Sequence, residues 1–438
     1  MYGTLQEGGL RNVIALVGSV LLLSTLSSAG SAQQKAGQLS STVVADVETE
    51  TPRQADSFVD TWGMNTKISY GGPSDPAVRD RELQELQQMG VRYIRDGGPS
   101  PHSDVLATLA DLCAHGVRHT IGFGVKTTAQ QIITAVERYK PECIVAVEPQ
   151  NEYDGSKDPD WTTTLRAEQS LLYSTVKAQP RFSNITVLGP ALARLSSEPL
   201  LGNIDSMMDA QNLHFATCDG NPLTRRYKTI DTVMQRYGYG ASVKPTWTSE
   251  TAYTDDPVST CRVSEEVAGK LVLRTQFELF NRNEPHIFWY EFPDQPSDRM
   301  FGQQGFVEAD GTPKPRYFAV KNIISLLADR GPSFSTKALH YELAGDTGDI
   351  HHTLLQKRDG RYFLALWREV ESWDHSSHVR LDVPTTSVTV KLPRGTQSAK
   401  IYTFDDNYAL KSKAVSTEGG RIHVAVADGV SIVSFSDE

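Results

Sequence analysis

Two hydrophobic patterns alternate between residues 58 and 327. Short runs of β-branched and other apolar residues, such as 144–147 and 185–188, are typical of strands buried on both faces. Between these runs, apolar residues recur three or four positions apart, as in 79–89, and this spacing predicts amphipathic helices. Eight strand-like runs alternate with helices in this way. The pattern predicts an α/β fold, a (β/α)8 TIM barrel, over residues 56–330.

A doubly wound α/β sheet would produce the same alternation of strands and helices. Such a sheet normally carries a glycine-rich phosphate-binding loop after its first strand. The first strand-like run, 58–65, is followed instead by Thr66, Lys67 and Ile68, which contain no glycine. The barrel is therefore the favoured architecture.

The hydrophobic pattern of the chain changes after residue 330, where short strand-like runs replace the alternation of strands and helices. Two apolar runs, 352–356 and 362–367, flank Asp359-Gly360, a dipeptide that favours a tight hairpin turn. Four more short strands follow, which predicts an antiparallel β-sandwich domain over 331–438. Residues 33–55 are polar and small, and they are expected to form a linker or to add a strand to this β-domain.

The N-terminal 32 residues have the features of an export signal. Arg11 precedes an apolar run over 13–26, and small residues extend to Ala32, the expected cleavage site. The run is shorter than the roughly 20 residues that span a bilayer. We therefore expect a signal peptide over 1–32 and a secreted or periplasmic protein, with an uncleaved membrane anchor as the alternative.

Four cysteines are compatible with export, because an oxidising compartment permits disulfides. Cys218 and Cys261 each follow a strand-like run, and we favour a bridge between them, with buried free thiols as the alternative. No Cys-x-x-Cys or His-Cys spacing indicates a metal site. We expect neither a metal nor a cofactor.

Composition narrows the range of partners. The chain has 438 residues, 22% charged and 39% hydrophobic, which is typical of a globular protein. Its net charge of −10 argues against nucleic acid and against an anionic membrane as a partner. Oligomeric state is not readable from this sequence.

Two carboxylates stand at strand ends on opposite sides of the predicted barrel. Glu152 follows the fourth strand, directly after Asn151, and Glu250 ends the seventh strand. Barrels of this type place their chemistry at the carboxyl ends of the strands. Cleavage of a glycosidic bond usually requires two carboxyl groups flanking that bond. The pair therefore suggests a carbohydrate substrate.

These motifs resemble those of clan A, the retaining glycoside hydrolases. Residues 149–152 (Pro-Gln-Asn-Glu) are similar to the clan's Asn-Glu motif, and 248–251 are similar to the segment that carries its nucleophile. The resemblance implies that Glu152 is the acid/base, that Glu250 is the nucleophile and that Asn151 holds the sugar 2-hydroxyl. A barrel followed by a β-sandwich resembles families 39, 30 and 79 and part of family 5.

Other residues match the clan less specifically. Arg95, after the second strand, matches an arginine that hydrogen-bonds the nucleophile, and a guanidinium there would keep a carboxylate ionised. Trp289 matches a tryptophan that stacks on sugar, and His214 matches a histidine near the substrate. Asn65 and Lys67, at the first strand, are further substrate-binding candidates.

The sixth strand departs from the pattern of the clan. Many members have His-x-Tyr there, with the tyrosine touching the nucleophile, whereas this chain has His214, Phe215 and an alanine. Tyr253, which is also a substrate-binding candidate, or Tyr290 is the expected replacement, with the absence of this contact as the alternative. The departure leaves open which side chain contacts Glu250 and adjusts its reactivity.

The sequence as a whole predicts a secreted retaining glycoside hydrolase that cleaves an oligo- or polysaccharide by double displacement. A non-catalytic carbohydrate-binding barrel is one alternative, although a binding protein has no need of both carboxylates. A transglycosylase that uses the same residues is another. The identity of the sugar and the linkage are set by barrel loops and cannot be read from one sequence.

Overall fold

The barrel is built from short, buried parallel strands. The structure, a computed structural model, describes residues 48–70, 76–98, 102–215, 244–295, 302–392, 396, 398–417 and 419–436. Two short strands come first, β1 (Glu48–Glu50) and β2 (Arg53–Gln54). The barrel strands are β3 (Trp62–Asn65), β4 (Tyr93–Asp96), β5 (Arg118–Gly122), β6 (Ile144–Glu148), β7 (Thr186–Val187), β8 (Gln211–His214), β9 (Thr246–Thr251) and β10 (Ile287–Trp289).

These eight strands form one parallel sheet in the order β7-β6-β5-β4-β3-β10-β9-β8. A parallel bridge between Leu188 and Ala210 joins the two ends of this order. The amide N–H of Gly189 donates to Ala210 O at 2.9 Å, just beyond β7. The sheet therefore closes on itself, and the predicted fold class is confirmed.

The helices surround the barrel and pack their apolar faces against it. Thr128 and Gln131 form a reciprocal capping box at the start of the fourth helix, which satisfies two backbone donors there. The predicted helix over 226–237 lies outside the described residues. The α-helices are α1 (Ala55–Val59), α2 (Pro76–Met89), α3 (Ser103–Ala114), α4 (Ala129–Arg138), α5 (Trp161–Lys177), α6 (Glu198–Leu201), α7 (Glu265–Asn281) and α8 (Pro315–Leu327).

The first barrel strand is shorter than predicted. Phe58 and Val59 belong to α1, and β3 begins only at Trp62. Both residues are fully buried in the large core cluster between the barrel sheet and its helices. An apolar run of this length fits a buried helix turn as well as a strand, and only the tertiary packing distinguishes the two.

A β-sandwich follows the barrel. One sheet has four strands in the order β1-β11-β16-β19, and the other has six in the order β18-β17-β20-β13-β12-β2. Residues 48–54 thus contribute to both sheets, and the β2–β12 pairing is parallel. The added strands are β11 (Leu339–Gly345), β12 (Ile350–Gln356), β13 (Tyr362–Arg368), β14 (Trp373–Asp374), β15 (Val379–Arg380), β16 (Thr386–Lys391), β17 (Ser398–Phe404), β18 (Leu410–Ser416), β19 (Arg421–Val426) and β20 (Ser431–Phe435).

A buried ion pair joins the sandwich to the barrel. Arg274 of α7 lies 2.9 Å from Glu369 Oε1, and both side chains are at most 1% exposed. Arg274 also donates to Ser372 Oγ at 2.9 Å. A buried arginine needs such partners, because an unpaired buried charge is strongly destabilising. The sandwich is thereby held against the outer face of α7.

A disulfide between Cys113 and Cys143 ties α3 to the residue that precedes β6. Cys261 is also disulfide-bonded. Its expected partner, Cys218, lies outside the described residues, so the favoured Cys218–Cys261 pairing stays a prediction.

The predicted signal peptide over 1–32 also lies outside the described residues. Among the helices that the structure describes, none has the length and apolar character needed to cross a bilayer.

The barrel interior depends on a close approach between β3 and β10. Gly63 pairs with Phe288, whose ring lies inside the barrel with Trp247 and Tyr93. A Cβ atom on Gly63 would lie 2.5 Å from Phe288 Cδ1. Glycine is therefore required at this position to leave room for the ring.

We expect Gly63→Ala to lower the free energy of unfolding by about 1–3 kcal/mol, the usual cost of overpacking a core. Urea unfolding followed by circular dichroism measures the change. Gly155→Ala is the matched control, because no atom lies within 4 Å of the added carbon there. Equal stability of the two variants would contradict the packing argument.

Candidate active site

A cavity of about 730 Å³ opens at the carboxyl ends of the barrel strands. Polar and apolar surface contribute about equally to its wall. The residues that line it include Asn65, Thr66, Lys67, Arg95, Asp96, Gly97, Gly98, Gly122, Phe123, Gly124, Glu148, Gln150, Asn151, Glu152, Ala193, His214, Phe215, Glu250, Thr251, Ala252, Tyr290 and Gln304.

Arg95 is the central side chain of this cavity. It lies one residue before the end of β4, and only 7% of its surface is exposed. Its Nη1 donates to Glu250 Oε1 at 2.5 Å and to Asn65 Oδ1 at 2.9 Å. Its Nε donates to Glu148 Oε1 at 2.5 Å, and its Nη2 to Asn151 Oδ1 at 2.7 Å. One guanidinium therefore fixes side chains from three other strands.

Glu148 lies deeper than the carboxylates at the mouth. It is 3% exposed, and its Oε2 accepts a hydrogen bond from Asn212 Nδ2 at 2.9 Å. With Arg95 on its other oxygen, this carboxylate is fully engaged on the barrel interior. Glu148 thus balances the arginine charge and does not compete with Glu152 for a place at the mouth.

Glu250 is an ionised carboxylate held in place. Burial by itself raises the pKa of Glu250, but the nearby charges of His214, Arg95 and Lys67 and the Arg95 hydrogen bond lower it by more. The net pKa lies below the ordinary value of 4.5. Glu250 is therefore anionic at neutral pH.

His214 connects the two carboxylates. Its Nδ1 lies 2.8 Å from Glu152 Oε1 and 3.6 Å from Glu250 Oε2. Its Nε2 lies 2.9 Å from Ser249 Oγ, which orients the ring. One ligand atom from each of Glu152, His214 and Glu250 can be chosen so that all three lie within 4.8 Å of one another. These two carboxylates therefore face one small volume.

Glu152 is the more accessible of the two acids. Its backbone is left-handed, with φ +46°, at the turn where β6 gives way to the next loop. Its side chain is 37% exposed, against 22% for Glu250. Two anchors hold this loop: Glu168 Oε1 accepts the Gln150 N–H at 3.0 Å, and Asp154 accepts backbone N–H groups of the loop after β7.

Asn65 is a positioning residue rather than an open sugar ligand. It is 3% exposed, and its Nδ2 donates to the Ser249 carbonyl at 3.0 Å. Its Oδ1 accepts the hydrogen bond from Arg95. Asn65 therefore ties β3 to the two strands that carry Arg95 and Glu250, although its edge also lines the cavity.

Glu152, His214 and Glu250 are also ligand types that a divalent ion uses, at a compatible spacing. His214 Nδ1 already bonds to Glu152, so an ion would displace this contact. The expectation that the protein uses no metal stays a prediction.

No protein-family model and no curated protein matches the sequence. Solved structures match through their folds. A glucosidase from Croceicoccus marinus has a TM-score of 0.61 and 11% identity over 90% of this chain and 97% of that one. A family 39 β-xylosidase from Caulobacter crescentus has a TM-score of 0.57 and 13% identity over 89% and 98%.

A family 39 glycoside hydrolase from Bacteroides cellulosilyticus has a TM-score of 0.53 and 13% identity over 88% of this chain and 83% of that one. The likeness shows a shared fold. It extends over both the barrel and the β-sandwich, because it covers most of each chain.

The prediction that Trp289 stacks on sugar is wrong. Its side chain is fully buried, its Nε1 donates to Gln276 Oε1 at 2.8 Å, and its ring packs against Trp62. Residues along a strand alternate between its faces. Phe288 points into the barrel, so Trp289 points outward to the helix layer.

The prediction that Tyr253 binds substrate is also wrong. The side chain is 2% exposed and belongs to the core cluster beneath the helices, where it stacks on Trp289 at 6.3 Å. Its hydroxyl lies 3.1 Å from Thr275 Oγ1 of α7. Tyr253 therefore reinforces the packing of α7.

Of the two tyrosines expected near Glu250, Tyr290 is the one at the cavity, whereas Asn212 was not among the predicted site residues. Tyr290 lines the cavity, and the alternation along β10 was the signal for it, because Tyr290 shares the parity of Phe288. Asn212 had no comparable signal. Its role exists only because the closed barrel brings the Asn212 side chain of β8 to Glu148 of β6, although these two strands are not neighbours in the sheet.

We expect Arg95→Met to raise the pKa of Glu250, because burial would then act without the guanidinium. The lowered pKa stabilises the wild-type fold above pH 4.5, and this stabilisation is lost as the pH falls through the lower folded value. The variant should lack it at neutral pH.

Carbon-13 NMR titration of the glutamate carboxyls, assigned with Glu250→Gln, measures this shift. Arg92→Met is the control, because Arg92 pairs with Asp56 and Asp60 away from the cavity. An unchanged Glu250 titration in Arg95→Met would contradict the assigned interaction.

Proposed function

We propose that the protein is a retaining glycoside hydrolase in which Glu250 is the nucleophile and Glu152 the acid/base. The observation that carries the proposal is the spacing of these two carboxylates, which offer oxygen atoms within 4.8 Å of each other. Retaining enzymes hold the two carboxyl groups about 5–5.5 Å apart, whereas inverting enzymes leave about 6.5–9.5 Å for a water molecule.

The environments of the two acids support this division of roles. Glu250 is anionic and fixed by Arg95, as a carboxylate that attacks carbon must be. Glu152 stands on the exposed turn after β6, where it can meet both a leaving group and water. His214 holds Glu152 toward Glu250, so the two acids approach the same sugar carbon.

In the first step, Glu250 forms a bond to the anomeric carbon while the bond from that carbon to the leaving oxygen breaks. Glu152 delivers its proton to the leaving oxygen. The result is a glycosyl ester on Glu250 and a released alcohol or shortened saccharide. Arg95 then loses its charge partner on Glu250 but keeps the one on Glu148.

In the second step, the ionised Glu152 takes a proton from water. The water oxygen bonds to the anomeric carbon as the ester bond to Glu250 breaks. Both carboxyl groups return to their starting states. Two displacements at one carbon leave its configuration unchanged.

The chemical class of the substrate rests on the site and on the shared fold. Solved structures with this fold include a glucosidase and a β-xylosidase. We extend to this chain only the hydrolysis of an O-glycosidic bond in an oligo- or polysaccharide. A transglycosylase would use the same first step and replace water by a sugar hydroxyl in the second.

We also propose that the protein acts outside the cytoplasm. The apolar run over 13–26 and the small residues before Ala32 support export. The Cys113–Cys143 bridge supports an oxidising compartment, where disulfides persist.

We expect Glu250→Ala to lower kcat by on the order of 10⁴-fold or more, because it removes the carboxylate proposed to form the ester. Added azide should restore part of the activity and give a glycosyl azide of inverted configuration, which NMR of the product detects. Glu142→Ala is the control, because Glu142 is exposed just before the start of β6. Wild-type turnover by Glu250→Ala would refute the nucleophile assignment.

We expect Glu152→Ala to lower kcat by about 10²–10⁴-fold on substrates with poor leaving groups. Dinitrophenyl glycosides should be affected far less in the first step, because their leaving group needs no proton. Steady-state kinetics on the two substrate classes measures the contrast. An equal loss on both classes would contradict the acid role.

A further inference from the structure

Lys67 and Tyr290 form the cavity wall beside Glu250, and the two-carboxylate mechanism uses neither. Lys67 Nζ donates to Tyr290 Oη at 2.8 Å. Both residues line the cavity, and the Lys67 side chain is 29% exposed. Lys67 also contributes to the lowered pKa of Glu250 through its charge. The ammonium group therefore faces the space where a sugar on Glu250 would sit.

The backbone on both sides of Lys67 is fixed. Asp96, at the end of β4, accepts hydrogen bonds from Thr66 Oγ1 at 2.6 Å and from the Ile68 N–H at 2.8 Å. The Ser69 N–H adds a third bond at 3.1 Å. Asp96 is 8% exposed, so this clamp is shielded from water. Lys67 is thus presented from a rigid turn.

Glu291 lies behind Lys67, outside the cavity. Its side chain is 1% exposed, and its Oε2 is 3.5 Å from Lys67 Nζ. Within the described part of the chain, neither carboxylate oxygen has a hydrogen bond of good geometry, and Lys67 and Tyr290 are the side chains that interact with this group. Burial raises the pKa of Glu291 to about 7, although the Lys67 charge acts in the opposite direction. A buried acid of this kind costs free energy, so its place behind Lys67 calls for a role.

Building on the proposed function, we propose that Lys67 positions the sugar held against Glu250 by donating to its hydroxyl oxygens. Tyr290 shares this contact, and Glu291 is the positioning residue that holds Lys67 from behind. An ammonium has three donors and no acceptor, so it suits oxygen atoms of a sugar ring's substituents. Lys67 therefore selects the sugar unit on the Glu250 side of the bond.

The selected sugar is neutral. A sugar carboxylate would be attracted by Lys67 but repelled by the anionic Glu250, which faces the same sugar unit. Arg95 adds little attraction, because its charge is already paired with Glu148 and Glu250.

Glu291 makes this contact sensitive to pH. The charged or titratable groups that face it are Lys67 from the turn after β3, and Tyr290 and Asp294 from its own segment. As the pH rises through about 7, Glu291 gains a negative charge and draws the ammonium toward itself. The hydrogen bonds from Lys67 to the sugar then weaken, so KM rises while kcat changes less.

The first test is Lys67→Met, with Lys126→Met as the control. Lys126 is an exposed lysine of the loop after β5, outside this cavity. We expect Lys67→Met to lower kcat/KM for neutral aryl glycosides by about tenfold to a hundredfold, the effect of losing a hydrogen bond to a charged group. The loss should fall mainly on KM.

Saturation-transfer NMR with methyl glycosides of neutral sugars and of the matching uronic acids tests the same contact without any turnover. The wild-type protein should bind neutral glycosides better, and Lys67→Met should weaken that binding. Tighter binding of the uronic acids, or unchanged neutral binding in Lys67→Met, would overturn the proposal. A failed hydrolase assignment would appear differently, as glycosides that bind but are never cleaved.

The second test is Glu291→Gln, which keeps the shape of the side chain and removes its charge. The wild-type KM should rise by several-fold between pH 6 and pH 8, and the variant should show a flat KM over this range. A role confined to packing would leave the pH profile unchanged. An identical profile in Glu291→Gln would therefore overturn the positioning role.

Discussion

The buried charge of Arg95 is the constraint on which the site depends. A guanidinium removed from water must be matched by carboxylates and hydrogen-bond acceptors, because an unpaired buried charge costs several kcal/mol. Glu148, Glu250, Asn65 and Asn151 supply that match from three other barrel strands. The pairs that stabilise the barrel mouth are thus the ones that orient the carboxylate proposed to attack the sugar.

The two acids differ because their backbones differ. Glu250 belongs to a strand, so its position is set by the sheet and its ionisation by neighbouring cations. Glu152 stands on a left-handed turn one residue beyond Asn151, and its more exposed side chain is held by His214. A fixed anion facing a more accessible acid is the asymmetry that double displacement requires.

The alternation of side chains along β10 separates packing from chemistry. Trp289 faces the helix layer and stabilises it, whereas Tyr290 turns toward the cavity and meets Lys67. The next residue, Glu291, is buried behind that pair. Neighbouring residues on this segment therefore face different surroundings, one in the core and the next in the cavity. For this reason the resemblance pointed to Trp289, whereas the aromatic residue in the cavity is Tyr290.

The sequence alone determined the fold class and the carboxylate pair, because strand periodicity and residues at strand ends are local properties. Arg95, His214 and Asn151 could also be predicted from the sequence, since each lies in or beside a strand end. The tertiary structure decided what depends on neighbours. It assigned Phe58 to a helix, buried Trp289 and Tyr253, and gave Asn212 and Glu291 their places. Such roles arise from contacts between strands and loops distant in sequence, which no local pattern encodes.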